Sequence, residues 1–198
     1  MTTRREILKL VGGGVVLAAV AGGSFYAVSG PSEKAREAWR QAGTPEQYRQ
    51  RFLSYALLAP NPHNRQPWLA KLEGEDALTL YCDLDRRLPE TDPLDRQITL
   101  GCGAFLELLS IAAAQEGYLA EITPFPDGEP FPRLDQRAVA RVRFVTDAAQ
   151  SDPAFAQILK RMTNRNDNTS RVPAADLLAS IEVAGGVHGA ALRTTADE

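Results

Sequence analysis

Apolar and polar positions change period several times along the chain, and each change marks an element. After a polar, helix-prone spacer from Ser32 to Gln41, apolar side chains recur at Tyr48, Phe52, Tyr55, Ala56 and Ala59. Steps of three and four predict a helix running up to Pro60. Thr44 before Pro45 reads as its N-cap, with proline at the first helical position. The runs Trp68–Leu72 and Ala77–Cys82 flank a turn at Glu73-Gly74-Glu75-Asp76 and predict a β-hairpin. Leu84 to Arg96 is a charged, proline-containing loop. Ile98 to Tyr118 is apolar almost all round, through Phe105, Leu108, Leu109, Ile111, Ala112 and Ala113, so it predicts a long helix buried in a core or a subunit interface. Pro124 to Pro132 is a loop. Between Ala138 and Val145, Ala140, Val142 and Phe144 alternate with Val139, Arg141, Arg143 and Val145, the pattern of a strand with one apolar face. Asp152-Pro153 caps a helix from Ala154 to about Met162, a further helix runs from Pro173 to Ala184, and a strand starts near Val187. This order predicts an α+β fold.

The first thirty residues read as an address. Thr3-Arg4-Arg5-Glu6-Ile7-Leu8-Lys9 precedes an uncharged Gly-, Ala- and Val-rich run from Leu10 to Val28, the pattern of a bacterial twin-arginine export signal. A run of about 20 residues is also long enough to cross a bilayer, and Ala27-Val28-Ser29 only approximates a cleavage site, so the segment reads as a signal or an anchor. Either reading places the folded part outside the cytoplasm, in the periplasm or cell envelope, with the translocase as a partner and membrane contact only through this segment. The twin-arginine route carries proteins already folded, often around a cofactor.

Composition narrows the function. With 198 residues, 44% hydrophobic and 24% charged, the chain has material for one packed core. Its 22 Lys+Arg against 25 Asp+Glu, a net charge of −3, supply no general positive field for a nucleic-acid backbone. Cys82 and Cys102 show no metal spacing and read as buried free thiols, or as one disulfide if the protein is exported. The chain stops at Arg193–Glu198 just after the start of another strand, which predicts that it is the N-terminal part of something longer.

Two segments carry candidate chemistry. In Ala-Pro-Asn-Pro-His-Asn-Arg-Gln-Pro-Trp, Ala59 to Trp68, prolines end the helix and fix the directions of polar side chains. Asn64 and Gln66 offer donors and acceptors to a flat heterocycle such as a flavin edge; alternatively the segment is a stiffened strand lead-in with Trp68 as a core plug. His63 and His188, the only histidines, form no metal or triad pattern. In Arg161-Met162-Thr163-Asn164-Arg165, two guanidinium groups flank a hydroxyl, as a phosphate site would use, or form a solvated basic turn.

The segment Ala59–Trp68 resembles the Ala-Pro-Ser-x-x-Asn-x-Gln-Pro-Trp segment of the nitroreductase family, and Arg161-x-Thr163-x-Arg165 is similar to that family's Arg-x-Ser-x-Arg/Lys. The two occur here in reversed order, which is similar to the subgroup of fused nitroreductase-like halves typified by mycobacterial Acg-type proteins. Leu88-Pro89-Glu90-Thr91-Asp92-Pro93 and the helix after Gly101-Cys102-Gly103 extend the likeness over Phe52 to Ile181. The resemblance implies a central, mainly antiparallel sheet flanked by helices. It also implies a division into signal or anchor (1–30), spacer (31–44), first half (45–148) and the start of a second half (149–198), with FMN held in a pseudo-dimer or homodimer. Arg161, Thr163 and Arg165 would hold the phosphate and ribityl chain, and Asn61, Asn64 and Gln66 would lie along the ring or ribityl edge, Asn61 standing where the family has serine. The implied activity is an FMN-dependent oxidoreductase passing electrons from NAD(P)H to a nitroaromatic, quinone or similar small-molecule acceptor, with no side chain named as catalytic. Export makes NAD(P)H scarce, which leaves the donor open. A non-catalytic flavin-binding or storage protein, or a membrane-anchored interaction domain, are the other readings.

Overall fold

The computed structural model describes residues 36–164, 171–186 and 191–194. The segment 1–30, Arg165, His188 and the strand expected from Val187 lie outside the described residues. The chain divides into two compact units, with the boundary between Arg161 and Met162.

In the first unit a short helix α1 (Glu37–Gln41) precedes α2 (Tyr48–Ala56). The cap of α2 differs from the expected Thr44-Pro45. Gln47 caps it through its side-chain oxygen, which accepts from the Gln50 N–H at 2.8 Å, and Thr44 is instead bound to the Gln41 carbonyl. The carbonyls of Pro45 and Glu46 are taken by Arg51, at 2.8 and 2.7 Å, which also grips Glu116 at 2.6 Å. Residues whose carbonyls bond a side chain in this way are withheld from the helix, so it starts at Tyr48.

Strands β1 (Trp68–Glu73) and β2 (Ala77–Cys82) form the expected hairpin, with Trp68 opposite Cys82 and Glu73 opposite Ala77. A helix α3 (Arg96–Ala114) then leads to β3 (Leu119–Pro124) and β4 (Ala140–Val145). The sheet order is β1-β2-β4-β3 with every neighbour antiparallel. The fold is α+β, an antiparallel sheet flanked by helices, as the element order predicts. Ala140, Val142 and Phe144 face inward and Arg141 and Arg143 outward, so the alternation in β4 translates directly into one apolar face.

The inward faces of Trp68, Leu78, Leu80, Cys82, Ala140, Val142 and Phe144 meet Phe52 and Ala56 of α2 and Ile98, Cys102, Phe105 and Leu109 of α3 in one core. Helix α3 is long and apolar enough to cross a membrane, yet here it is the buried wall of that core. It stops four residues before the expected Tyr118, because Gly117 turns left-handed (φ +81°) and Tyr118 N–H bonds back to the Ala113 carbonyl at 3.0 Å, a glycine-centred helix stop.

Strand β3 is absent from the sequence reading for a physical reason: it is an edge strand in which only Ala120 is buried, so no alternation marks it. The helix expected from Ala154 to Met162 is a 3₁₀ helix, Pro153–Gln157, capped as foreseen by Asp152, whose carboxylate accepts from Ala154 N–H. Its inward residues Phe155 and Ile158 are three apart, the spacing that a three-residue turn aligns, and Ile158 packs with Leu58 and Ile111. In the second unit α4 (Ala175–Gly186) starts two residues later than expected, and the Glu182 carboxylate accepts from both the N–H and the hydroxyl of Thr194 at 2.6 Å.

Arg49 locks α2 to the hairpin. Only 8% exposed, it donates from Nη1 to the carbonyls of Glu73, Gly74 and Ala77 at 3.1, 2.9 and 3.0 Å. Arg49→Ala orphans those carbonyls and is expected to cost about 2 kcal/mol, lowering the thermal midpoint by roughly 4–8 °C. Arg49→Lys should recover part of this. A midpoint within 1 °C of wild type in a thermal melt followed by circular dichroism would contradict the assignment.

Candidate functional site

The segment after α2 is shaped by what its backbone cannot do. Pro60 and Pro62 lack N–H groups and end helical pairing. A 3₁₀ turn, Pro62–Asn64, follows an extended Asn61, and three of the five residues after Asn61 are left-handed without being glycine: His63 (φ +50°), Asn64 (φ +51°) and Gln66 (φ +50°). Asparagine tolerates this region better than most residues. Even so, each such conformation costs about 1–3 kcal/mol and persists only where neighbours fix it.

Asn61 does much of that fixing. Its side-chain oxygen accepts from Gln66 N–H at 2.8 Å, and its Nδ2 donates to the Ala59 carbonyl at 3.1 Å. The Asn64 and Arg65 N–H groups close back onto the Asn61 and Pro62 carbonyls at 3.3 and 3.0 Å. Arg65 reaches across to the carbonyls of Arg86 and Asp85, and Arg86 returns a bond to the Arg65 carbonyl. Underneath, Pro67 and Trp68 are buried, with the Trp68 ring 5.0 Å from Phe105. Gly101 on the second turn of α3 lets the loop seat: a Cβ there would lie 3.3 Å from Asn61 Cβ and 3.4 Å from Pro62 Cδ.

The loop brings Asn61, Asn64 and Gln66 of the expected site residues together. Asn64 is exposed and Gln66 half-buried, and among the described residues their side-chain amides make no hydrogen bond, so both polarities are available to a ligand. The Asn61 amide holds Ala59 and Gln66, so Asn61 shapes the loop, and its second N–H and second oxygen lone pair leave it able to meet a ligand as well. Arg161 donates from Nη2 to the Leu58 carbonyl at 2.9 Å, which brings its cation to the carbonyl end of α2, where the helix dipole favours it, three residues before Asn61. Thr163 belongs to the second unit and Arg165 lies outside the described residues.

Two acids inside the charged loop have roles that the sequence does not assign them. Asp92 accepts from the Ile98 N–H at 2.9 Å and so caps α3 in place of the adjacent residue. Asp95, only 2% exposed and left-handed (φ +54°), accepts from Leu134 N–H at 3.2 Å and lies 3.5 Å from Arg87. The signal was an acid three to six residues ahead of an apolar run, a helix-start pattern; both serve the fold. Cys82 and Cys102 are free and buried, as one of the two expectations had it. Burial pushes the Cys82 thiol up to about 11, aided by the nearby Asp95 carboxylate, and burial pushes Cys102 up to about 12. Thiols so protonated are poor nucleophiles. Among the described residues no three His, Cys, Asp or Glu side chains gather as metal ligands.

No family model matches the chain. It is similar to a Mycobacterium tuberculosis H37Rv protein named "Putative NAD(P)H nitroreductase Rv3131", with 33% identity over 137 residues, 68% of this chain and 39% of that protein. It is also similar to that organism's "Putative NAD(P)H nitroreductase acg", 34% identical over 121 residues, 61% of this chain and 34% of the relative. A Serratia protein named "Probable NAD(P)H nitroreductase PigM" is 37% identical over 76 residues, 38% of this chain and 21% of its own. The chain therefore spans about two fifths or less of the length of these relatives. The likeness is to proteins named as NAD(P)H nitroreductases, one of them named acg.

Proposed function

We propose that this chain is part of an FMN-dependent oxidoreductase of nitroreductase type. The observation that carries the reading is the loop Ala59–Trp68, in which three left-handed non-glycine residues are held by Asn61 so that the Asn64 and Gln66 amides stand free. Strain of this kind concentrates at ligand clamps. The likeness to proteins named as nitroreductases supports the same reading.

The residues fit the group. Asn64 and Gln66 can donate to ring carbonyls and accept from a ring N–H, and Arg161 offers a guanidinium to an anionic portion. The chemistry supplied by bound FMN is hydride acceptance from a donor such as NAD(P)H and delivery of electrons to a nitroaromatic, quinone or similar acceptor. The chain's own part is to bind and orient: amides fixed in place need no reorganisation as charge develops on a ring they touch. From the sequence resemblance alone, Thr163 and Arg165 are proposed as phosphate ligands, and a homodimer or pseudo-dimer as the assembly that holds the cofactor. Export through the twin-arginine translocase belongs to the same reading. It rests on Arg4 and Arg5 and is checked by whether Arg4→Lys with Arg5→Lys keeps the protein in the cytoplasm.

The test is the visible spectrum of the full-length protein and the identity of any chromophore released on denaturation. Released FMN, with retention falling about tenfold in Asn64→Ala or Gln66→Ala, is the expected result. FMN that is retained but turned over by no donor and acceptor would favour a flavin-storage protein. A colourless protein that takes up no added FMN would sink both and leave the interaction domain.

A further inference from the structure

A cleft of about 610 Å³ opens between the first turns of α3 and the loop 125–134 of the same unit. It shares no side chain with the loop Ala59–Trp68. Its apolar walls are Leu94 and Leu100 on the helix side and Phe131 on the loop side, all exposed, with Phe125 half-buried behind them. Leu100 is 67% exposed and Phe131 93% exposed, and with Leu94 they stand together at one cleft, where a cluster of exposed apolar side chains carries more meaning than scattered single ones. Two cations stand at the same cleft, Arg96 and Arg133. Among the described residues neither guanidinium has a hydrogen bond or an ion pair, whereas Arg51, Arg87, Arg137 and Arg143 are all paired with carboxylates.

Apolar walls with a few charged groups at one cleft are the composition of a small-molecule site, and the volume admits one or two fused rings. The guanidinium fork matches a carboxylate in geometry as well as charge. Glu129, also at the cleft, sets the charge: two cations against one carboxylate leave a single positive charge. That balance favours a monoanion over a phosphate dianion, and Glu129 can accept from a ligand hydroxyl or N–H. We propose that this cleft is a ligand site for a flat aromatic monocarboxylate, seated on Leu100 and Phe131 with its carboxylate on Arg96 and Arg133.

The proposal does not rest on the flavin reading, and its test reads neither flavin nor turnover. Calorimetric titration of the full-length protein with 2-naphthoate, beside its neutral isostere 2-naphthamide, separates the charge from the rings. The expected result is naphthoate binding at least tenfold tighter than naphthamide. R96Q combined with R133Q should bring naphthoate down to the naphthamide level, and Phe131→Ala should weaken both. The two arginines are exposed and unpartnered, so the double variant should keep its thermal midpoint. Equal affinity for acid and amide, an unaffected double variant, or no binding of either compound would overturn the site. Release of FMN by R96Q with R133Q would overturn it as well, because the cleft would then belong to the cofactor.

Discussion

Replacing Phe52 by alanine is expected to cost about 4 kcal/mol, the range for emptying a core phenyl site, and to lower the thermal midpoint by roughly 8–16 °C. Phe52 is fully buried, and its ring is the meeting point of three elements. It lies 5.5 Å from Tyr118 before β3, 5.5 Å from Phe144 on β4 and 5.6 Å from Tyr48 a turn earlier, all edge-on or tilted. Tyr48 and Tyr118 stack at 4.8 Å, closing a ring of aromatic contacts in which each pair adds about 0.5–1.5 kcal/mol beyond the area it buries. Such a group cannot collapse around the gap, because each ring is held by the others. Phe52→Leu keeps most of the volume and should cost less than half as much. Urea unfolding of both variants checks the argument: a loss below about 1 kcal/mol for Phe52→Ala would mean that the aromatic group repacks freely.

How much of this was legible in the sequence depends on where a side chain's information sits. Phe52 was readable as core because its period-four spacing from Tyr48 and Ala56 is local, and β4 was readable because Ala140, Val142 and Phe144 alternate with arginines. Strand β3 was not readable, since an edge strand with one buried residue carries no period. The start of α2 was missed because Arg51 decides it from six residues downstream by taking the Pro45 carbonyl. At the candidate site, the residue types of Asn64 and Gln66 pointed to their availability. The loop-holding bonds of Asn61 could not be read, because they depend on left-handed backbone at His63, Asn64 and Gln66, which no glycine announces. The cleft at Arg96 and Arg133 was equally invisible: its residues are 37 positions apart at the extremes of a loop and a helix, and neither segment is a motif.

The loop-holding amide of Asn61 leads to the sharpest functional expectation. Asn61→Ala leaves the Gln66 N–H without its acceptor, a cost of about 1–3 kcal/mol, and frees three left-handed residues to relax toward ordinary backbone. Relaxation redirects the Asn64 and Gln66 side chains, so, on the proposed flavin reading, FMN retention should fall at least tenfold. Asn61→Asp keeps an acceptor for Gln66 and loses only the donor to Ala59, so it should lie between wild type and Asn61→Ala. A positioning role and a direct contact differ in the flavin-free protein. If Asn61 positions the loop, the Gln66 amide should exchange its hydrogen at least tenfold faster in Asn61→Ala with no flavin present, and Asn61→Ala combined with Gln66→Ala should lose little more retention than either alone. If Asn61 were a contact only, exchange at Gln66 would be unchanged and the two losses would add. The exchange measurement stands even if the bound group is not FMN, because it tests how residues 61–66 hold one another before any ligand arrives.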